Sequence, residues 1–385
     1  MTVNTVTRPL IAHIVFSFDY GGLENGLVNL INHMQDGFAE HVIIALSSVS
    51  DFSERIKRDD VRVFCLQKPP GQTYKIFPKL YRLLQALRPD IVHTRNLATL
   101  ECQVVAFAAR IKYRVHGEHG WDTSDPNGTN PSHIRIRRLM KQFTHHQIGL
   151  SNHICTYLAE QIKIDRHKLT RICNGVDTNK FKPLLDQSTA YFTKNMPQAW
   201  SSDSFVIGTT GRASPIKNQM ALCQAFVLLR KRNSEFAAKG KLAILGNGPL
   251  LEQLSTFAVQ QHIDEKCWFP GARDDVSEFL QHLSVFVLPS FAEGISNSIL
   301  EAMAAGLPII ASGVGGTPEL VQNQINGVLL EPNDVDGIAG ALETYFNDDV
   351  TRRKHGAASR NMAEHAFSIQ QMVRQYCDVY KKRFN

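Results

Sequence analysis

Val285-Phe286-Val287-Leu288-Pro289-Ser290-Phe291-Ala292-Glu293-Gly294-Ile295-Ser296-Asn297-Ser298-Ile299-Leu300-Glu301-Ala302 is the stretch that decides the fold. The apolar run 285–288 is short and does not alternate with polar residues, as expected of a strand buried on both faces. Residues 298–305 then read as a helix, so Glu293 falls on a strand-to-helix loop and Glu301 about one turn into the helix. A buried strand feeding a helix through a polar loop is the repeating unit of a parallel sheet with helices on both faces.

The same unit recurs in both directions along the 385 residues. Upstream, strands are expected near 11–18, 41–47, 61–66, 90–94, 113–118, 146–150 and 170–173, with helices at 22–35, 75–88, 97–110 and 152–163. Around and beyond the opening stretch, strands are expected near 205–210, 241–245, 266–269, 284–288, 308–311 and 327–330. Between the two series lies a polar stretch of weak periodicity with Pro183 and Pro197, the candidate linker. The expected architecture is α/β: two Rossmann-like doubly wound domains, 1–182 and 204–367, joined by a linker at 183–203. A last helix, 368–385, is expected to pack back on the first domain, with Ser368 as its N-cap. Such a pair of domains would face a cleft at the carboxyl ends of their strands, where open α/β sheets bind ligands.

Composition narrows the class. An apolar content of 43% with 20% charged residues is that of a soluble globular chain, and no apolar run is long enough to span a bilayer. Leu10–Phe18 contains His13 and runs into Asp19-Tyr20-Gly21-Gly22 without a small-residue cleavage site, so it reads as a buried strand and not a secretory signal. The seven cysteines form no C-x-x-C pair, which points to reduced thiols in a cytoplasmic protein without a structural metal. The net charge of +6 is unevenly spread: residues 1–175 carry 22 Lys/Arg against 15 Asp/Glu, the remainder 20 against 21. Arg135, Arg137, Arg138 and Lys141 concentrate on an amphipathic helix at 132–143. That helix is either a solvated surface or a peripheral contact with an anionic membrane leaflet. The basic residues do not alternate with aromatic ones, and nothing resembles a nucleic-acid motif.

Two further motifs carry chemistry. Gly211-Arg212-Ala213-Ser214-Pro215-Ile216-Lys217 follows a strand. Ser214 and Pro215 predict an N-cap and a proline at the first helical position, which would place Lys217 in the first helical turn. A lysine there opposes the helix dipole, an arrangement that makes sense if an anion lies between it and Arg212. The other reading is a solvated loop with two surface cations. The amides of Gly294, Ile295, Ser296 and Asn297, near a helix N-terminus, suit a phosphate or sugar hydroxyls. Glu293 and Glu301 can accept hydrogen bonds from two sets of hydroxyls, although a carboxylate near a helix start is also favoured by the dipole alone. Arg114-Val115-His116-Gly117-Glu118-His119-Gly120-Trp121-Asp122 ends another strand. An H-x-x-H pair there lacks a helix to align both rings on a metal, while Glu118 and Asp122 are placed to orient a ring or meet a substrate. Asp334-Val335-Asp336, after Pro332-Asn333, reads as a helix cap and not a cation site.

Together the G-R-x4-K element, the E-x7-E element with Glu-Ala-Met-Ala-Ala-Gly after it, and Gly315-Gly316-Thr317-Pro318-Glu319 resemble glycosyltransferase family 4, of the GT-B fold. Asn174-Gly175-Val176-Asp177 with Phe181 and Pro183, Leu245-Gly246-Asn247-Gly248-Pro249, and Asn326-Gly327 before Pro332 extend the resemblance over roughly residues 12–335. It implies retaining transfer of a hexose from a nucleotide sugar (UDP ahead of GDP) to a glycan or lipid-linked acceptor, without a metal or other cofactor. By the same resemblance, Arg212 and Lys217 would hold the donor diphosphate, Glu301 the ribose and Glu293 the transferred sugar. Gly211 and the backbone of Gly294, Ile295, Ser296 and Asn297 would complete the cradle. Gly21 and Gly22 match the family's glycine loop, and His119 its histidine beside sugar and acceptor. Ile295-Ser296-Asn297 stands where many members carry Phe-Gly and an apolar residue, a departure at the sugar end of the cradle. The wording Gly-Glu-His-Gly-Trp-Asp with the basic helix after it is similar to a subgroup associated with exosortase exopolysaccharide loci. A nucleotide-sugar epimerase, a phosphorylase or a non-catalytic donor-binding protein on the same fold are the rival readings. A dehydrogenase is poorer, since no G-x-G-x-x-G opens a helix after a strand.

Overall fold

The computed structural model describes residues 8–121, 125, 128–184, 195–197, 200, 201 and 203–384; Asp122 and much of the expected linker lie outside them. The chain divides into two compact units, one running to Gly175 and resuming at Ile369, the other spanning Val176–Ser368.

Every strand expected from the sequence is present within a few residues. In the first unit they are β1 (Leu10–Val15), β2 (Glu40–Ala45), β3 (Arg62–Cys65), β4 (Ile91–Arg95), β5 (Tyr113–Glu118), β6 (His146–Gly149) and β7 (Leu169–Arg171). In the second they are β8 (Phe205–Thr210), β9 (Gly240–Leu245), β10 (Cys267–Gly271), β11 (Val285–Leu288), β12 (Ile309–Ser312) and β13 (Gly327–Leu330). The orders are β3-β2-β1-β4-β5-β6-β7 and β10-β9-β8-β11-β12-β13, and β1 pairs parallel with β2 and β4, as β8 does with β9 and β11. Both sheets are doubly wound, and the order reverses at β1/β4 in one and at β8/β11 in the other. At such a switch point the connections leave to opposite faces and open a crevice above the strand ends.

The core follows from the two-residue period of a strand. Ile11, with Ile91, Val115 and Ile148, packs on one face of the first sheet against Met372, Val373, Tyr376, Val379 and Tyr380. Ala12, Ile14, Val42 and Val92 turn to the other face, under Leu80, Leu84 and Val105. The helix Ile369–Lys381 is thus part of the first unit's core although two hundred residues of the other unit precede it. Gly175 sits where the chain leaves the unit, and a Cβ there would come within 2.7 Å of the Ile369 Cα, so only glycine fits.

Three local readings need correction. The expected helix 97–110 is two short pieces, Leu97–Leu100 and Cys102–Ala108. The signal Ser214-Pro215 opens only a 3-10 turn, Pro215–Lys217, and Ser214 makes no side-chain cap. Asn218 then turns left-handed (φ 53°) before the helix Gln219–Arg232 starts. Lys217 therefore ends a turn ahead of the helix, and the dipole argument for its position falls. Asp334 is a cap as expected, accepting from the Gly337 amide at 2.8 Å.

Tyr380 is buried, with its hydroxyl 2.7 Å from His93 Nδ1. Tyr380→Ala is expected to lower the unfolding free energy by about 3–5 kcal/mol, the range for deleting a buried aromatic ring. Chemical denaturation measures it, and a loss under 1 kcal/mol would mean that the terminal helix is a loosely attached appendage.

Candidate active site

In the second unit the connections after β8 and β11 meet at the switch point, where the Phe291 amide donates to the Ile216 carbonyl at 2.8 Å. Across this junction Lys217 Nζ lies 2.5 Å from Glu293 Oε1, and the buried Ser290 hydroxyl donates to the same oxygen at 2.6 Å. The Glu293 carboxylate is 8% exposed and Lys217 22%. Lys217, expected to face a phosphate together with Arg212, is thus neutralised by Glu293 in the ligand-free chain. Arg212 is exposed, and its guanidinium makes no ion pair or hydrogen bond among the described residues. Its carbonyl accepts from Gln219 Nε2 at 3.0 Å, which fixes the loop while leaving the side chain unclaimed.

Close backbone contacts set the loops around these charges. Gly315 (φ +55°) would place a Cβ 1.8 Å from the Glu293 carbonyl oxygen, and the Gly316 amide donates to the Gly294 carbonyl at 3.0 Å. Gly211 (φ +138°) has nothing within 4 Å of where its Cβ would stand, so a ligand can approach its backbone. The helix Asn297–Ala304 starts here with Ser296 as its N-cap, the Ser296 hydroxyl accepting from the Ile299 amide at 3.4 Å. Among the described residues no protein acceptor takes the amides of Gly294, Ile295 or Ser296. Unpaired N–H groups at a helix start form a ready anion site. Glu301, inside that helix, has its carboxyl pushed up to about 7 by burial, which the charge of Lys180 offsets only in part.

In the first unit, Gly22 begins the helix Gly22–His33 after β1 and Gly21 is its N-cap. Gly21 is extended (φ −162°), a conformation open to any residue, so its value there is the space it leaves. His119 follows β5. Its amide donates to Asn96 Oδ1 at 2.7 Å, while its Nε2 is buried without a partner. Burial and the nearby charge of Arg95, then His116, hold its ring at about 3, so it is neutral at physiological pH. His116 takes the other role weighed for this segment: its Nδ1 lies 2.8 Å from Thr94 Oγ1 and its Nε2 3.4 Å from Glu118. Glu118 is claimed by Arg137, whose Nε donates to it at 2.6 Å. Burial raises the Glu118 carboxyl, but His116 and Arg137 outweigh it and hold it at about 2. The basic helix 132–143 is accordingly less of a surface cluster than its sequence suggests. Arg137 is buried, Arg138 donates to the Gln161 carbonyl at 2.7 and 2.9 Å, and Lys141 to the carbonyls of Ile162 and Lys163.

Two residues that the sequence reading passed over stand at the β1/β4 switch point. Asn96 holds φ 58° with ψ 167°, a region that costs a side-chain-bearing residue energy and recurs at functional sites. Arg95, the last residue of β4, is 2% exposed and reaches His13 Nδ1 at 3.2 Å and His93 Nδ1 at 3.4 Å. The available signal was His93-Thr94-Arg95-Asn96: three polar residues end the strand begun by Ile91-Val92, and a fourth follows it.

Two parallel-sheet units with a basic and acidic pair at the second switch point define a GT-B glycosyltransferase, and comparisons with known proteins agree. Residues 20–180 match the model described as Glycosyltransferase Family 4, and residues 204–348 the one described as Glycosyl transferases group 1. Both models describe glycosyltransferases, one matching each half of the chain. The chain is 29% identical, over 84% of each chain, to the Escherichia coli UDP-Gal:alpha-D-GlcNAc-diphosphoundecaprenol alpha-1,3-galactosyltransferase. It is 24% identical to the putative glycosyltransferase EpsD of Bacillus subtilis, over 80% of this chain and 81% of that one. Among solved structures, Anabaena Alr3699/HepE in complex with UDP superposes with a TM-score of 0.81 at 20% identity, covering 98% of this chain and all of that one.

Glu301 gives a pH test. Its folded-state pKa, about 7, lies above the ordinary 4.5, so the folded chain binds the proton more tightly than the unfolded one. Its contribution is therefore fully present at low pH and is lost as pH rises through about 7. Glu301→Gln is expected to flatten that decline and to stabilise the ligand-free chain at pH 8 by about 1–3 kcal/mol. Melting both proteins from pH 5 to 8 reads the difference; parallel curves would show that the carboxyl is not desolvated.

Proposed function

We propose that the chain is a retaining glycosyltransferase that moves a hexose from a nucleotide sugar, a UDP-sugar ahead of a GDP-sugar, to a glycan or lipid-linked acceptor in cell-surface polysaccharide synthesis. The carrying observation is the second switch point: Arg212 without a partner, free amides at the start of the helix Asn297–Ala304, and Lys217 held on Glu293. A diphosphate supplies the anion that this arrangement lacks. When it binds, Arg212 offers a planar fork of donors, and Lys217 can share its three protons between phosphate and Glu293. As the bond from the anomeric carbon to the phosphate oxygen lengthens, charge builds on the diphosphate, and these fixed cations and amides stabilise it more than they do the ground state. In this reading they, and not a divalent ion, meet that charge.

Glu293, fixed by Lys217 and Ser290, presents its remaining lone pairs to the transferred sugar's hydroxyls. Glu301 accepts from the ribose diol, and ionises more readily once hydroxyl donors reach it. His119, neutral and with Nε2 unpartnered among the described residues, is by resemblance the histidine of the sugar and acceptor side. Asp125, beyond the strand end, already accepts from the Thr129 and Asn130 amides and so serves its own loop. The relative acting on diphosphoundecaprenol-linked GlcNAc supports a lipid-linked acceptor, and EpsD a place in surface polysaccharide assembly. The segment Gly117–Asp122 carries the finer resemblance to the exosortase-associated subgroup. Peripheral membrane contact through 132–143 would rest on Arg135 and the exposed Leu139, with Arg137 engaged internally.

Arg212→Ala is expected to lower transfer by about 10²–10³-fold, the cost of one preorganised donor to a developing oxyanion, while the melting temperature stays within 2 °C of wild type, roughly the shift of a small surface change. A thermal-shift screen of nucleotide sugars picks the donor, and acceptor-dependent release of nucleoside diphosphate measures the rate. A fully active variant sinks the phosphate assignment.

A further inference from the structure

We propose that Arg95, on the floor of the first unit's switch point, is an anion-binding residue that holds a phosphate of the acceptor. The proposal rests on the glycosyl-transfer reading for the source of the phosphate, though not for the site itself.

The chain has two well-buried arginines beside this crevice, and they differ in one respect. Arg137 has the Glu118 carboxylate at 2.6 Å. Arg95 has no carboxylate within ion-pair distance among the described residues; its guanidinium meets the imidazoles of His13 and His93 and the neutral hydroxyl of Tyr380. Arginine has no lone pair to give, so His13 Nδ1 and His93 Nδ1 must both be unprotonated acceptors. His13 then carries its proton on Nε2, directed at His41 Nδ1, 2.9 Å away. Burial first, and the Arg95 charge next, push the His13 and His93 rings well below their usual range. The stripe His41–His13–His93 thus orients Arg95 without neutralising it. A buried cation whose hydrogen bonds go to neutral groups keeps its full charge, and an anion that reaches it offsets the cost of burying that charge.

The surroundings point to the same ligand. Arg95 lines one recess with Glu24, Asn96, Gly120 and Trp121, and a second with Gly26, His119 and Asn174. His119 Nε2, buried and unpartnered, belongs to the second. His93 Nε2 is likewise orphaned, and a Cβ on Gly117 would fall 2.5 Å from the one and 3.1 Å from the other. Both rings are neutral at physiological pH, but the recess that His119 lines is only about 10 Å³, so the space for a phosphate is the first recess, about 160 Å³, which Arg95 reaches and the two Nε2 atoms do not line. The start of the twelve-residue helix Gly22–His33 stands over the first recess. Glu24 folds back on it, its Oε2 2.1 Å from where a Gly21 Cβ would sit. The Glu24 carboxyl is raised by burial, with the Arg95 charge lowering it only in part. It is a weak local stand-in for the missing negative charge. The donor's diphosphate has its own cations, Arg212 and Lys217, in the other unit. The anion left for Arg95 is therefore the acceptor's, as in a sugar carried on a lipid diphosphate.

The test has a binding arm and a kinetic arm. In the full-length Arg212→Ala/Lys217→Ala background, where the donor's cations are gone, millimolar inorganic pyrophosphate should still raise the melting temperature. Adding Arg95→Gln should remove that rise, and Arg95→Lys should keep part of it. Without ligand, Arg95→Gln should melt at or above the background, because a buried uncompensated charge is lost; a clear drop would mark Arg95 as a structural residue and overturn the proposal. Pyrophosphate protection that survives Arg95→Gln, or never appears in the background, also overturns it. In otherwise wild-type enzyme, Arg95→Gln should raise KM for a diphosphate-linked acceptor by about 10–100-fold, the range for one charged hydrogen-bonding partner. KM for the donor, and activity on the same sugar as a neutral alkyl glycoside, should stay within about twofold. A shift in donor KM instead would assign the phosphate to the donor and overturn the acceptor claim. Should no acceptor be glycosylated at all, the functional reading fails while the pyrophosphate arm still decides the site.

Discussion

The order reversal in each parallel sheet is the constraint from which the functional geometry follows. A parallel strand must be followed by a crossover on one face, and a sheet that grows outward from its middle must send neighbouring crossovers to opposite faces. Above β1/β4 and β8/β11 the crossovers diverge, and loops rather than packed helices meet the strand ends. Backbone groups there go unpaired unless a loop or a ligand meets them. Arg95, Asn96 and Gly21–Gly22 stand at one such opening. Gly211, Arg212, Glu293 and the amides of Gly294–Ser296 stand at the other. Neither set was gathered by proximity in sequence; the winding of each sheet brought it together.

At each opening, charge is distributed in the same unequal way. One ion pair is closed, the buried Glu118–Arg137 in the first unit and the half-buried Lys217–Glu293 in the second. One cation is left without a carboxylate: Arg95 sealed under imidazoles, Arg212 in the open. The closed pairs hold their loops in register and gain little net stability, since desolvation consumes most of their Coulomb energy. The open cations are the costly members. Glu301, ionising only near pH 7, is a third group whose charged form the ligand-free chain disfavours. A fold that keeps such groups gives up stability in exchange for ligand binding, as active sites commonly do.

Much of this was legible in the sequence, and the exceptions have physical causes. Central strands such as β11 and β12 appear as short apolar runs bounded by glycine, proline or polar residues, and the regular alternation of such runs with helical patterns placed the more polar strands between them. The charged motifs of the second unit were legible because each lies on one local strand-to-helix connection. The helix expected at Ser214 was misplaced because a Ser-Pro start is shared by α and 3-10 turns. What separates them here is the left-handed Asn218, held by a hydrogen bond to Asn333 more than a hundred residues away. Arg137 looked like one of four surface cations because periodicity assigns a face and not a partner. Its burial depends on Glu118, from the end of β5. The importance of Arg95 was illegible for the same reason on a larger scale, since its surroundings come from β1, β2, the loop after β5 and the terminal helix.

That last point bears on how the two openings differ in kind. Arg212 is exposed, and its guanidinium has no partner among the described residues. Arg95 is clamped by His13, His93 and the packing of Tyr376 and Tyr380 around them. A cation clamped by neutral rings is preorganised for one anion position, whereas an exposed one takes its final position from the ligand it meets. The rigid cation therefore suits a group that anchors a substrate, and the unencumbered one suits a group that leaves. A transfer reaction needs one of each, and the chain places them in different units, each at its own switch point.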